Sequence, residues 1–220
     1  MRKMIRPNRH IAGIGICLLA FVLLSSGSIN RELAKSSTEI TGFRIQPCPW
    51  NGKTTFVDPR DQRVYHQVEI GGRCWMASNL HFGSEVPNME QTDNQKPEFT
   101  CSANDPQNCQ RYGGLYTWAE AMNYAKPEKG TEIQGLCPEG WHLPSDAEWT
   151  AMEQAIDPTI ATERKDWRGK ILGNRLIAAA DEWIPAALPE SPCGFDALPA
   201  GSAVSGWFFY LGRGAYFWTS

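Results

Sequence analysis

From Val64 to Ile70 the chain reads VYHQVEI, with Val64, His66, Val68 and Ile70 alternating with Tyr65, Gln67 and Glu69. A period of two predicts a strand. Gly71-Gly72 follows, then RCWMA, so a two-residue glycine turn predicts a hairpin. His66 is read as an ordinary strand residue, with no catalytic partner nearby in the sequence. Residues 81–111 carry Pro87, Pro97 and Pro106 among many Asn, Asp and Gln, which predicts loops. In YGGLYTWAEAMNYA, Trp118, Ala121, Met122 and Ala125 fall on one helical face, and the glycines before them mark a bend into the helix.

The most informative stretch is GLCPEGWHLPSDAEWTAMEQAI. Ser145 and Glu148 form an S-x-x-E capping box: the Ser145 hydroxyl takes the amide of Glu148, and the Glu148 carboxylate reaches back to the amide of Ser145. Asp146 adds charge suited to a helix N-terminus. Trp149, Met152 and Ile156 then form a buried stripe. Pro144 fixes the approach, and Trp141 and Leu143 pack on the helix start. Capping accounts for these acids fully, so they are assigned a structural role over an acid/base one. His142 is read as a packed core residue.

Residues 167–180, WRGKILGNRLIAAA, predict a third, weaker helix interrupted by Gly173. Residues 181–206 are loop-like. WFFYL and AYFW, joined by Gly-Arg-Gly, predict a closing hairpin. Helices, antiparallel strands and long loops together define an α+β domain.

The N-terminus reads differently. Arg2, Lys3, Arg6 and Arg9 precede Ile11–Leu24, an uncharged and mostly apolar run of 14 residues, and SSGS follows. This is the pattern of an export signal over 1–28, cleaved after Gly27 or Ser28. The run is short of the ~20 residues that a membrane span needs, and the mature chain has none that long. Cys17 lies inside the apolar run, which disfavours a lipid-anchored cysteine. Residues 29–47 read as a Ser/Thr-containing linker, and the domain occupies 48–220. The whole chain has 220 residues and a net charge of −3. Without the signal it carries 17 cations against 24 acids, or −7. An acidic exported domain without a basic block is a poor partner for nucleic acid.

Six cysteines follow the signal: Cys48, Cys74, Cys101, Cys109, Cys137 and Cys193. An even number in an oxidising compartment predicts disulfides. Cys101 and Cys109 flank the turn-rich SANDPQN, and closing so short a loop costs little, so they are paired first. A thiolate zinc site fails, because no two cysteines lie two to four apart and the histidines are scattered. No metal and no cofactor are expected.

IGGRCWMASNL, CSANDPQNCQRYGGLYTWAEAM, GLCPEGWHLPSDAEW, GFDALPAGS and AYFWTS occur here in the order and spacing of the Fibrobacter succinogenes major paralogous domain. The resemblance covers Phe56–Ser220. HLPSDAEW also resembles the RLPTEAEW signature of formylglycine-generating enzymes. That likeness implies a C-type-lectin-like fold of two main helices and small antiparallel sheets, stapled by disulfides. The family implies an exported or surface protein of Bacteroidetes-type bacteria, and it carries no catalytic residues over. Formylglycine-generating enzymes use two late cysteines for copper and oxygen chemistry, whereas here Cys193 stands alone late in the chain. C-type lectins bind calcium and sugar through E-P-N or Q-P-D with W-N-D; residues 85–88 read EVPN, and W-N-D is absent. Family members continue past F-W-[ST]-S, so the resemblance implies missing C-terminal strands and an open sheet edge. It also implies a Cys48–Cys74 pair. Cys137 then loses its usual partner, which leaves Cys193 as a substitute by exclusion, or leaves both free.

The expected function is therefore a non-catalytic surface or extracytoplasmic binding or adhesion module for a glycan or protein, with Trp167, Trp183 and Trp207 as candidate contacts. Two alternatives stand beside it. One is a divergent oxidase or a glycan hydrolase, the latter needing two carboxylates about 5–10 Å apart, with Asp181, Glu182 and Glu190 as candidates. The other is a fimbria-like structural subunit that accepts a strand at its open edge.

Overall fold

The computed structural model describes residues 2–5, 22–23, 55–127, 130–161, 172–178, 180–184 and 193–220. The expected linker and Trp167 lie outside them. The described chain is a mixed α/β fold with small sheets and four helices. In chain order its strands are β1 (Arg2–Ile5), β2 (Val22–Leu23), β3 (Thr55–Val57), β4 (Val64–Ile70), β5 (Arg73–Met76), β6 (Ser84–Glu85), β7 (Glu98–Phe99), β8 (Trp141–His142), β9 (Ser202–Val204), β10 (Trp207–Phe209) and β11 (Ala215–Trp218). The helices are α1 (Pro106–Tyr112), α2 (Trp118–Ala121), α3 (Asp146–Ile156) and α4 (Leu172–Leu176).

The glycine hairpin forms as expected. Ile70 pairs with Arg73 across Gly71 (φ 63°) and Gly72 (φ 73°), two left-handed positions that suit a tight turn between right-twisted strands. β3 adds on the other side of β4. Tyr65 and Gln67 share the buried face of β4, while Val64 and His66 face solvent.

The C-terminal hairpin is a correction. β10 turns back through Ser205 (φ 50°) and Gly206 (φ 80°) onto β9, not through Gly-Arg-Gly onto β11. Two consecutive left-handed residues favour the shorter turn. The Tyr210–Gly214 loop instead folds on itself, with the amides of Arg213 and Gly214 donating to the Tyr210 carbonyl. β11 pairs antiparallel with β1, Arg2 opposite Trp218 and Ile5 opposite Ala215. β1 lies within the residues read as the export signal, and in this two-stranded sheet it pairs along one side of β11.

The helices also depart from the pattern. α1 occupies a stretch read as loop, because Asp105 caps it through the Gln107 amide (2.9 Å) and Pro106 starts it. α2 stops after one turn, since Asn123 and Tyr124 adopt positive φ. α4 accommodates Gly173 in its interior. α3 forms with its capping box complete.

Trp149 organises the core. Its ring meets Trp75 of β5 at 5.2 Å, Phe217 of β11 at 5.3 Å and Phe195 at 5.9 Å, so one side chain ties α3 to both ends of the fold. The C-terminal strand is further pinned by polar contacts. Trp218 Nε1 donates to the Tyr116 carbonyl (3.0 Å), and Trp118 Nε1 donates to the Thr219 carbonyl (3.0 Å). Opposite them, a buried Asp58 grips Arg60, whose Nη1 donates to the carbonyls of Leu136 (2.9 Å) and Cys137 (3.1 Å). Gly135 (φ 58°) approaches Ala121 so closely that a Cβ would strike the Ala121 carbonyl.

Trp149→Ala removes rings from contact on three sides and should cost about 3–5 kcal/mol of unfolding free energy. Urea denaturation followed by far-UV circular dichroism checks this; a loss under about 1 kcal/mol would show that Trp149 is not central.

Candidate functional site

Three places gather chemistry-bearing side chains: a buried charge cluster at the start of α3, a pocket beside β4, and the aromatic face of β10.

The charge cluster centres on Glu148. Its Oε2 accepts the Ser145 amide (2.8 Å) and hydroxyl (2.9 Å), while the Glu148 amide donates to Ser145 Oγ (3.3 Å). Its Oε1 takes Arg73 Nη1 from β5 (2.5 Å) and lies 3.1 Å from Nε2 of His142 on β8. Burial alone would raise the carboxyl's pKa. The hydrogen bond and charge of His142, the Ser145 amide and Arg73 outweigh it and hold Glu148 down at about 2. Trp141, His142, Pro144 and Trp149 are all buried around it. Glu132 brings a second carboxylate, with Oε2 3.8 Å from His142 Nδ1. Glu132, His142 and Glu148 offer ligand atoms all within 4.8 Å of one another. Spacing in the sequence did not reveal this group: Glu132 lies ten residues before His142 and reaches it through an isolated bridge of Ile133 with Leu143.

The pocket has a volume of about 790 Å³ and opens between β4, the end of α1 and the segment around Asp196. Tyr65 and Tyr112 supply rings, and His66, His81 and Asp196 supply titratable groups. Burial, aided by the Arg63 charge, pushes His81 down to about 4, so its ring is neutral at physiological pH. Burial raises the Asp196 carboxyl, opposed by His66. Asp196 also adopts φ 52°, a conformation that a short polar side chain tolerates. Asp196 is the one carboxylate among the described residues lining the pocket. Of the acids considered for hydrolysis, Glu182 is tied to Arg111 (2.9 Å), Asp181 is exposed on a short 3-10 turn, and Glu190 lies outside the described residues. The pocket draws on five separate chain segments, and no local pattern announces it.

The candidate tryptophans separate. Trp183 is 2% exposed and belongs to the core, which corrects its assignment as a contact residue. Its indole follows a short 3-10 turn that folds it inward. Trp207 is 73% exposed, and Phe209, two residues on, is 44% exposed on the same face of β10. Sequence reasoning missed Phe209, although the i, i+2 spacing of Trp207 and Phe209 is visible in the chain.

Cys101 and Cys109 are bonded, with Cα atoms 4.9 Å apart. Cys74 is also disulfide-bonded; its expected partner Cys48 lies outside the described residues. The pairing of Cys137 with Cys193 is corrected: both are free. Each is fixed elsewhere by its own backbone. Cys137 donates to Gln134 under the Arg60 clamp, and Cys193 donates to Arg175 beside α4. Burial raises both thiols, which disfavours the reactive thiolate. No helix among the described residues is long and apolar enough to cross a membrane.

A family model, the Fibrobacter succinogenes major domain, matches residues 68–220. The chain belongs to that family. Neither the curated proteins nor the solved structures provided a match.

The depressed Glu148 carboxyl has a stability signature. Its pKa lies below that of the unfolded chain, so its stabilisation is full above the unfolded value near 4.5 and is lost as pH falls toward about 2. Wild type should lose on the order of 3 kcal/mol more than Glu148→Gln between pH 5 and pH 2. Urea titrations across that range check it; parallel pH curves for the two proteins would refute the assignment.

Proposed function

We propose that the chain is an exported, non-catalytic binding module that holds a glycan on the Trp207–Phe209 face of β10, on a C-type-lectin-like fold. One observation carries the reading. Trp207 is 73% exposed and Phe209 44% exposed, side by side on one strand of a short hairpin. A large indole facing water has no folding benefit, and such residues mark contact surfaces. Successive same-face positions on a strand lie about 7 Å apart. Flat rings at that spacing suit the apolar faces of consecutive sugar rings, which need no charge to bind.

Other observations agree. Glu148 is engaged on both oxygens by Arg73, His142 and Ser145, so the most conspicuous acid serves the scaffold. The pocket presents Asp196 without a second described acid, whereas a glycan hydrolase places two carboxylates about the reacting bond. The export-signal pattern supports a place outside the cytoplasm, where polysaccharides and surface proteins would be the available ligands. A fimbria-like role would require β1, which pairs with β11 in the full chain, to leave with the cleaved signal.

The test is a panel of soluble and cell-wall polysaccharides presented to the full chain. Trp207→Ala and Phe209→Ala should each weaken binding tenfold or more while leaving the thermal midpoint unchanged. Trp183→Ala should lower the midpoint instead. Equal glycan binding by Trp207→Ala and wild type would overturn the reading, and so would a panel that binds nothing while a surface protein is captured.

A further inference from the structure

Beyond the aromatic face, the charge cluster at the start of α3 has a second side. Both Glu148 oxygens already accept, Oε1 from Arg73 and Oε2 from the Ser145 amide and hydroxyl, so at the 3.1 Å contact His142 Nε2 is the donor. In the neutral ring the proton then sits on Nε2, and Nδ1 presents a lone pair. Nδ1 has no hydrogen-bond partner, although His142 is only 4% exposed. What faces Nδ1 is another acceptor, Glu132 Oε2, at 3.8 Å. Two acceptors 3.8 Å apart, one of them buried without a partner, leave a place for a cation between them.

We propose that His142 Nδ1 and the Glu132 carboxylate bind a divalent transition metal of the zinc class, with Glu148 as the orienting partner of the imidazole. The donor set is one imidazole and one carboxylate, which suits zinc and its neighbours rather than calcium or magnesium. Two ligands of a tetrahedral zinc lie about 3.4 Å apart, given bond lengths of about 2.0–2.2 Å. The observed 3.8 Å needs only a small adjustment, and Glu132 is free to make it because its side chain is 51% exposed. That open side also admits the ion and leaves room for water ligands. A carboxylate on the other ring nitrogen is the common means of fixing a metal-binding histidine in the correct tautomer. Here Arg73 and Ser145 hold Glu148 in that role. The Ile133–Leu143 bridge, with the Leu143 amide 2.8 Å from the Ile133 carbonyl, keeps the Glu132 loop against β8.

The experiment titrates zinc, and cobalt as its spectroscopic substitute, into the metal-free full chain carrying Cys193→Ser, which removes the half-buried free thiol as a competitor. One zinc per chain should bind, with a rise in the thermal midpoint. Glu132→Gln should weaken it roughly tenfold or more, while Glu139→Gln, an exposed acid on the neighbouring loop, should not. Nitrogen-15 NMR should show His142 Nδ1 shifting on zinc addition while Nε2 keeps its proton. Glu132→Gln keeps the shape of an exposed side chain, so the test survives even if a His142→Asn variant fails to fold. The proposal falls if no zinc binds, if Glu132→Gln binds as tightly as its parent, if cobalt shows thiolate coordination, or if both ring nitrogens stay protonated with zinc present. None of these readouts depends on glycan binding, so this site and the aromatic face succeed or fail separately.

Discussion

Three elements meet on one carboxylate. β5 contributes Arg73, β8 contributes His142, and α3 contributes both Glu148 and its Ser145 cap. A carboxylate with so little exposure is tolerable only if nearly every lone pair is satisfied. That requirement sets the distance between the β4–β5 hairpin and the helix, and the angle at which α3 leaves β8. Trp149, one residue later, then points into the space enclosed by Trp75, Phe195 and Phe217. Polar satisfaction on one side of the helix start thus fixes aromatic packing on the other. Glu148→Ala would leave Arg73 and His142 without their shared anion, a larger disturbance than the loss of one cap.

The legible parts of the sequence were those with local causes. S-x-x-E with a following apolar stripe specified α3 because both hydrogen bonds of the box close within four residues. Gly71-Gly72 specified the hairpin because the turn needs positive φ at both positions. Cys101 and Cys109 were close enough in sequence to be paired without knowing the fold. What failed to show had non-local causes. The partner of β11 lies at the far end of the chain. The length of α2 is set by left-handed residues at Asn123 and Tyr124, which the helical stripe of Trp118, Ala121 and Met122 does not announce. At the candidate sites, an aromatic composition named Trp183 and Trp207 alike. Only burial separated an indole folded into the core from one facing water. The Glu132–His142 contact depends on a single bridge between two loops and has no sequence signature.

The two kinds of cysteine mark two kinds of constraint. Cys101–Cys109 closes the loop leading into α1, where the segment is rich in turns and has few apolar residues of its own. A cross-link there limits the unfolded chain where packing contributes least. Cys137 is fully buried beneath the Arg60 clamp and behaves as a small apolar residue. In a family member built from short strands and long loops, covalent and packing restraints are divided by region.

The pairing of Arg2–Ile5 with Ala215–Trp218 has a kinetic consequence. It has the largest sequence separation of any ladder described here, so the entropy of bringing its ends together weighs most heavily on it. A chain leaving the ribosome carries its first strand through nearly all of synthesis before the complementary strand exists. In the uncut chain this seam is therefore expected to close last and to open first under stress, exchanging its amide hydrogens well ahead of the tryptophan-centred interior, and removal of the expected signal segment would take β1 away with it.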